Sequence, residues 1–170
     1  LGMAWSCRGG DLAGVARNCA SMQNRGACVD RAGGEVGDTV LEQLASSEAV
    51  LTADEKELGV AVVDIGGGTT DFSVFERGSL WHTGVVPVGG DHFTNDIAVG
   101  LRMPIPEAEK LKRRSGCALT SLVPADETME VASIAGRRAR VLSRRVGAEI
   151  LQPRAGEICT RLWDKNGKAG

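Results

Sequence analysis

The 170-residue chain has no tyrosine, 2 histidines, 3 tryptophans and 3 phenylalanines, so aromatic residues make up only 4% of it. The core must then be aliphatic. The aromatic stacking platforms that bind single-stranded nucleic acid are also missing, and no nucleic acid is expected as a partner. The 5 cysteines, Cys7, Cys19, Cys28, Cys117 and Cys159, are odd in number, widely spaced and free of any C-x-x-C pair. With so few histidines beside them, they argue against a disulfide framework and a zinc site, and for reduced thiols in the cytoplasm. No run of about 18 apolar residues occurs, so no segment reads as a membrane-spanning helix. The opening Leu1-Gly2-Met3-Ala4-Trp5 lacks a basic region followed by an apolar one and does not read as a signal peptide. Gly-Lys-Ser/Thr is absent, as is a glycine fingerprint leading from a strand into a helix, which speaks against a P-loop and a Rossmann dinucleotide site.

What is present is ordinary in bulk: 42% hydrophobic and 25% charged residues in 17.8 kDa, enough for one or two small domains with a real core. The 23 glycines mean that the backbone turns often. The net charge of −2 hides an asymmetry, because residues 1–106 carry 7 Lys+Arg against 14 Asp+Glu while residues 107–170 carry 13 against 8. Two halves of opposite sign are expected to face different partners.

The most informative stretch is Asp64-Ile65-Gly66-Gly67-Gly68-Thr69-Thr70-Asp71, which follows the apolar run Val60 to Val63. Glycines let successive backbone N–H groups approach an anion without a side chain in the way. Asp64 and Asp71 flank the turn, where they suit a hydrated Mg²⁺, an ion that takes few protein ligands. Thr70 to Phe75 is β-branched and aromatic, so the turn should lead into a second strand. A strand, glycine turn and strand that clamp phosphate are the device of actin-like ATPases; the alternative is a plain glycine-rich hairpin whose aspartates cap the turn.

Around this stretch the pattern predicts a helix over Ala20 to Ala32, a short strand Val40 to Leu44, a helix from about Ser47 to Leu51, and a capping box at Thr52 to Glu55. Strands at 60–65, 70–76 and 80–88 form a meander, with Arg77-Gly78-Ser79 as a hairpin loop. Helices follow from Asp91 to Leu101 and, after Pro104 and Pro106, from Glu107 to Ser115. Thr128 to Ile134 and Arg138 to Leu142 suit a hairpin around Gly136, and Arg144 to Trp163 suits a helix kinked at Pro153. The basic cluster Arg137, Arg138, Arg140, Arg144 and Arg145 reads as a solvated hairpin edge protected from unwanted pairing.

Several runs together, VLEQLASSEAVLT (40–52), VAVVDIGGGTTD (60–71), PVGGDHFTNDIAVGL (87–101) and EAEKLKRRSGCA (107–118), resemble the FtsA family of bacterial cell-division proteins, within the actin, sugar-kinase and heat-shock ATPase superfamily. The resemblance covers roughly residues 20 to 165. It implies an α/β, ribonuclease H-like lobe of an actin-like ATPase, with a mixed sheet, flanking helices and a smaller α+β subdomain. By it, residues 1–19 match poorly, 20–90 are the phosphate-binding 2A part and 91–170 the 2B part of a longer protein.

The further implications are those of the family. Gly66, Gly67, Gly68 and Thr69 correspond to a phosphate loop for ATP, Asp64 and Asp71 to the Mg²⁺ carboxylates, and Glu42 to the glutamate that orients the attacking water. Gly89 and Gly90 bring a helix start near the nucleotide, and Glu109 and Lys112 contact ribose and purine; the bland readings are a helix entry capped by Asp91 and an exposed intrahelical ion pair. Arg154 and Glu157 correspond to the contact for the acidic, partly apolar C-terminal peptide of FtsZ. The implied protein polymerises like actin and links the FtsZ ring to the inner face of the cytoplasmic membrane at the septum, through a membrane segment that this chain lacks. It is at most a weak ATPase, and this chain alone, holding half the ATP pocket, is expected to be inactive. A sugar or metabolite kinase, or a chaperone ATPase lobe, remains open as an alternative.

Overall fold

The computed structural model describes residues 19–131 and 139–166. The elements run α1 (Cys19–Arg31), α2 (Glu42–Val50), α3 (Ala53–Leu58), β1 (Val60–Ile65), β2 (Thr70–Glu76), β3 (Ser79–Val86), α4 (Gly90–Leu101), α5 (Ile105–Ser115), a 3₁₀ turn at Thr120–Leu122, β4 (Thr128–Val131), β5 (Arg140–Ser143) and α6 (Arg144–Asn166). One sheet has the order β1-β2-β3 and the other pairs β4 with β5. By internal packing the chain divides into two units, 1–62 with 73–83, and 63–72 with 84–170.

In the first unit α1 ends at Arg31 and is followed by Gly33, whose φ of +81° is a left-handed stop, with Gly34 N–H donating to Val29 O at 3.0 Å. The strand expected over Val40 to Leu44 is a helix instead: α2 starts at Glu42, five residues before the expected helix start at Ser47. Five residues were too few for alternation to decide, whereas Glu, Gln, Leu and Ala are strong helix formers. The stretch also places Gln43 and Ser47, four apart, on its buried face. Ser47 lies inside the helix, where its hydroxyl donates to the Gln43 carbonyl at 2.6 Å and lies 2.9 Å from Ser73 Oγ. The capping box is present: Thr52 N–H donates to Glu55 Oε2 at 2.8 Å and Glu55 N–H to Thr52 Oγ1 at 3.3 Å. The bond from Thr52 N–H, and then that from the Thr52 hydroxyl to the same Oε2 at 2.8 Å, hold the Glu55 carboxyl below its ordinary pKa. Arg77 and Gly78 both have positive φ, +52° and +73°, the two-residue turn whose twist suits a hairpin from β2 to β3.

The second unit holds the larger core. Ile97, Ala98 and Leu101 of α4, Ala108 and Leu111 of α5, Met129 and Val131 of β4 and Leu151 of α6 form one buried cluster with Met103. Each fully buried Ile, Leu or Met side chain there contributes about 1.5–3 kcal/mol. A smaller cluster joins Val86 and Val88 to Ile158. The β4–β5 hairpin is antiparallel, with Thr128 opposite Ser143 and Val131 opposite Arg140; its expected turn around Gly136, with Arg137 and Arg138, lies outside the described residues. Pro106 is in the first turn of α5, where its missing N–H breaks no helical bond. Pro153 lies inside α6. Among the described residues no helix is long and apolar enough to cross a membrane.

Candidate functional site

The glycine stretch is a turn between two strands, as its composition requires. Gly66 N–H donates to Thr69 O at 2.9 Å and closes the hairpin. The carbonyls of the turn face the start of α4: Gly90 N–H donates to Gly66 O and Asp91 N–H to Gly67 O, each at 2.8 Å. Two of the first N–H groups of α4, which no helix can satisfy internally, are thus held by the glycine turn. Glycine is needed at 89 by this close approach and not by its backbone angle: a Cβ there would lie 2.5 Å from Gly67 O and 2.6 Å from Gly66 O. A Cβ on Gly67 would meet an Asp91 carboxylate oxygen at 3.2 Å, while one on Gly68 would meet nothing within 4 Å.

Gly67 and Gly68 are exposed, and no described residue accepts a hydrogen bond from the N–H of either. Two adjacent amide donors on a side-chain-free turn are suited to receive anionic oxygens. Asp64, at the end of β1, and Asp71, at the start of β2, are half-buried, and Thr69 Oγ1 donates to Asp71 Oδ2 at 3.2 Å. No group of three or more His, Cys, Asp or Glu side chains among the described residues is set to hold a metal. Two carboxylates still fit Mg²⁺, which completes its octahedron with water and phosphate oxygens. Thr70, fully buried, donates from Oγ1 to Val88 O at 2.8 Å and ties β2 to the segment leading into Gly89.

Glu109 and Lys112 form the expected ion pair at 2.7 Å, yet it is not a free surface pair. Lys112 Nζ also donates to Gly90 O at 3.0 Å and to Thr94 Oγ1 at 2.8 Å. The bond from Lys112, and then that from Thr94, hold the Glu109 carboxyl below its ordinary pKa. Gly66, Gly90, Lys112 and Glu109 are therefore linked by hydrogen bonds within the second unit, with Gly67 bonded to Asp91 and Gly89 packed against the turn. Glu42 belongs to the first unit, exposed in the first turn of α2, where its charge suits the positive end of the helix.

Arg154 and Glu157 share a face of α6, but Arg154 is also gripped from α4. Its Nε and Nη2 meet Asp96 Oδ2 and Oδ1 at 2.7 and 3.0 Å, and Nη1 meets Glu157 Oε2 at 2.5 Å. The bond to Asp96 first, against some desolvation, raises the Arg154 pKa further. Arg161 pairs with the other oxygen of Glu157 at 2.6 Å. Asp96, Ile150, Pro153, Arg154 and Glu157 line a hollow of about 320 Å³. The described members of the basic cluster are more than a solvated edge: Arg140 donates to Leu101 O, Arg144 to Ser115 O and Glu127, and Arg145 to Val123 O.

Two residues escaped the sequence reading. Thr94 left one signal, a hydroxyl in register with the apolar stripe of α4. Asp96 left none, because its partner is 58 residues away.

The sequence model of the family described as cell division protein FtsA matches residues 61–162. The FtsA of Pseudomonas aeruginosa is 54% identical over 150 residues, which are 88% of this chain and 36% of that protein. The FtsA of Escherichia coli K12 is 49% identical over 130 residues, 76% of this chain and 31% of that protein, and the FtsA of Bacillus subtilis is 43% identical over 131 residues, 77% and 30%. The chain thus spans about a third of the length of these relatives. Among solved structures, MreB5 of Spiroplasma citri bound to ADP superposes with a TM-score of 0.72 at 19% identity, covering 87% of this chain and 47% of that one. The same protein bound to AMPPNP gives 0.69 at 20% identity, covering 89% and 47%. The fold is that of the actin-like proteins.

Proposed function

The chain belongs to the FtsA family of cell-division proteins, and we propose that its glycine turn, the start of α4 and the Glu109–Lys112 pair form one half of an ATP site. The observation that carries this reading is the pair of exposed Gly67 and Gly68 N–H groups, which donate to no described residue, on a turn braced through its carbonyls by Gly90 and Asp91. Those amides receive the β- and γ-phosphates, with the Thr69 backbone beside them. Asp64 and Asp71 would hold Mg²⁺, and Glu109 and Lys112 would meet the nucleoside. When bound, the metal offsets phosphate charge. The nucleotides named with the MreB5 structures support the reading by analogy of fold. Amide NMR of the chain titrated with millimolar Mg·ATP tests it: the Gly67, Gly68 and Gly90 signals move first, and movement elsewhere with these unchanged refutes it.

In the whole protein this site serves an actin-like polymer that joins the FtsZ ring to the membrane at the septum. The FtsZ tail docks at Arg154 and Glu157, where Ile150 and Pro153 supply apolar lining and the peptide carboxylates compete with Asp96 and Glu157 for the Arg154 guanidinium that those two side chains engage. Arg154→Gln removes the charge without setting a third carboxylate against Asp96 and Glu157, as Arg154→Glu would, and should abolish binding of an acidic-apolar peptide. Undiminished peptide binding by the folded Arg154→Gln chain refutes the docking site.

A further inference from the structure

One buried hydroxyl connects the start of α4 to Glu109 and Lys112. Thr94, 4% exposed, sits one turn into α4. Its Oγ1 lies 3.1 Å from Gly90 O and 2.5 Å from Glu109 Oε2, and accepts from Lys112 Nζ at 2.8 Å. A hydroxyl has one proton to give. A carboxylate oxygen at the shorter distance draws that proton more strongly than a neutral carbonyl that already accepts from Lys112, so the proton goes to Glu109.

The consequence falls on the two oxygens of Glu109. Oε2 is engaged by both Thr94 and Lys112, whereas Oε1 has Arg113 Nε at 3.8 Å, beyond hydrogen-bond reach. The Glu109 side chain is 39% exposed, so Oε1 stands open to a donor from outside the protein. An ionised oxygen held in place and without a hydrogen-bond donor among the described residues suits a ligand hydroxyl.

We propose that Thr94 is a positioning residue that fixes Glu109 through Oε2 and so aims Oε1 at a ribose hydroxyl, giving the site its preference for ribonucleotides. The proposal rests on the nucleotide reading above. It adds a residue and a selectivity that the Glu109–Lys112 pair alone does not supply.

The test compares the chain with Thr94→Val and Thr94→Ser by amide NMR, each titrated with Mg·ATP and with Mg·2′,3′-dideoxy-ATP. The unaltered chain should favour ATP by about 10- to 150-fold, the worth of one hydrogen bond to a charged group. Thr94→Val, similar in volume but without the hydroxyl, should lose that preference by weakening ATP alone, and Thr94→Ser should keep it. Carbon NMR of the ligand-free chains gives an independent readout: the Glu109 carboxyl should titrate higher in Thr94→Val, because one of its two stabilising bonds is gone. If Val disturbs folding, Thr94→Ala serves in its place. Equal weakening of both nucleotides would show a merely structural threonine and overturn the proposal. So would an unchanged preference, an unchanged Glu109 titration, or an unaltered chain that does not discriminate. A chain whose amides respond to neither nucleotide refutes the ATP site itself, and the selectivity with it.

Discussion

Replacing Gly89 by alanine asks whether the glycine turn and the start of α4 are one rigid device. The added Cβ would stand 2.5 Å from Gly67 O and 2.6 Å from Gly66 O, and both obstacles are backbone that cannot rotate away. Alanine adopts the Gly89 φ of −154° without strain, so the effect is steric alone. Forcing one methyl into such a contact costs about 1–3 kcal/mol. Separation of the two segments also weakens the bonds from Gly90 N–H and Asp91 N–H, now each 2.8 Å, worth about 0.5–1.5 kcal/mol apiece. The sum is about 2–6 kcal/mol, a fall in melting temperature on the order of 10–40 °C for a unit of roughly 100 residues. Circular dichroism melts give the size of the effect, and hydrogen exchange at the Gly90 and Asp91 amides shows where it acts. Gly68→Ala is the control, since nothing lies within 4 Å of its added carbon and stability should stay within about 0.5 kcal/mol. A Gly89→Ala chain that melts with the unaltered protein and keeps those amides protected would refute the close approach on which the site is built.

Two further outcomes follow from the charged groups. The folded chain holds Glu109 below its ordinary value of 4.5, so its contribution to stability is fully present above that pH and is lost as pH falls through the lowered folded value. Urea melts from pH 6 down to about 3 should therefore show a loss that Glu109→Gln lessens, and parallel profiles for the two would contradict the bond to Lys112. In a double-mutant cycle, Asp96→Ala and Arg154→Ala should couple by about 1–2 kcal/mol, between the values for exposed and buried pairs because the side chains are 23% and 26% exposed. Additivity within about 0.3 kcal/mol would remove the bidentate grip.

Much of the fold follows from local chemistry alone. Asp64 to Asp71 between two β-rich runs can only be a turn joining strands, because three glycines offer no helix and the residues after them are β-branched or aromatic. Thr52 and Glu55 announce their own cap, and Phe93, Ile97 and Leu101 their own helix face, since the interacting groups are three to eight residues apart. The same locality misled at Val40 to Leu44, where a five-residue pattern suited a strand and the burial of Gln43 and Ser47 on a helix face settled the matter.

What tertiary structure alone decided are the contacts between distant residues. No spacing reveals that Asp96 takes the fork of Arg154, that Lys112 reaches Gly90 and Thr94, or that Gly89 must lack a side chain because the carbonyls of Gly66 and Gly67 press against it. A sequence records which groups a segment carries and the period at which they recur, and that suffices for helices, turns and the glycine loop between two strands. Whether a glutamate is a surface charge or a fixed acceptor depends on which donors packing brings within 3 Å of it, and that is set only when α4, α5 and α6 close on one core.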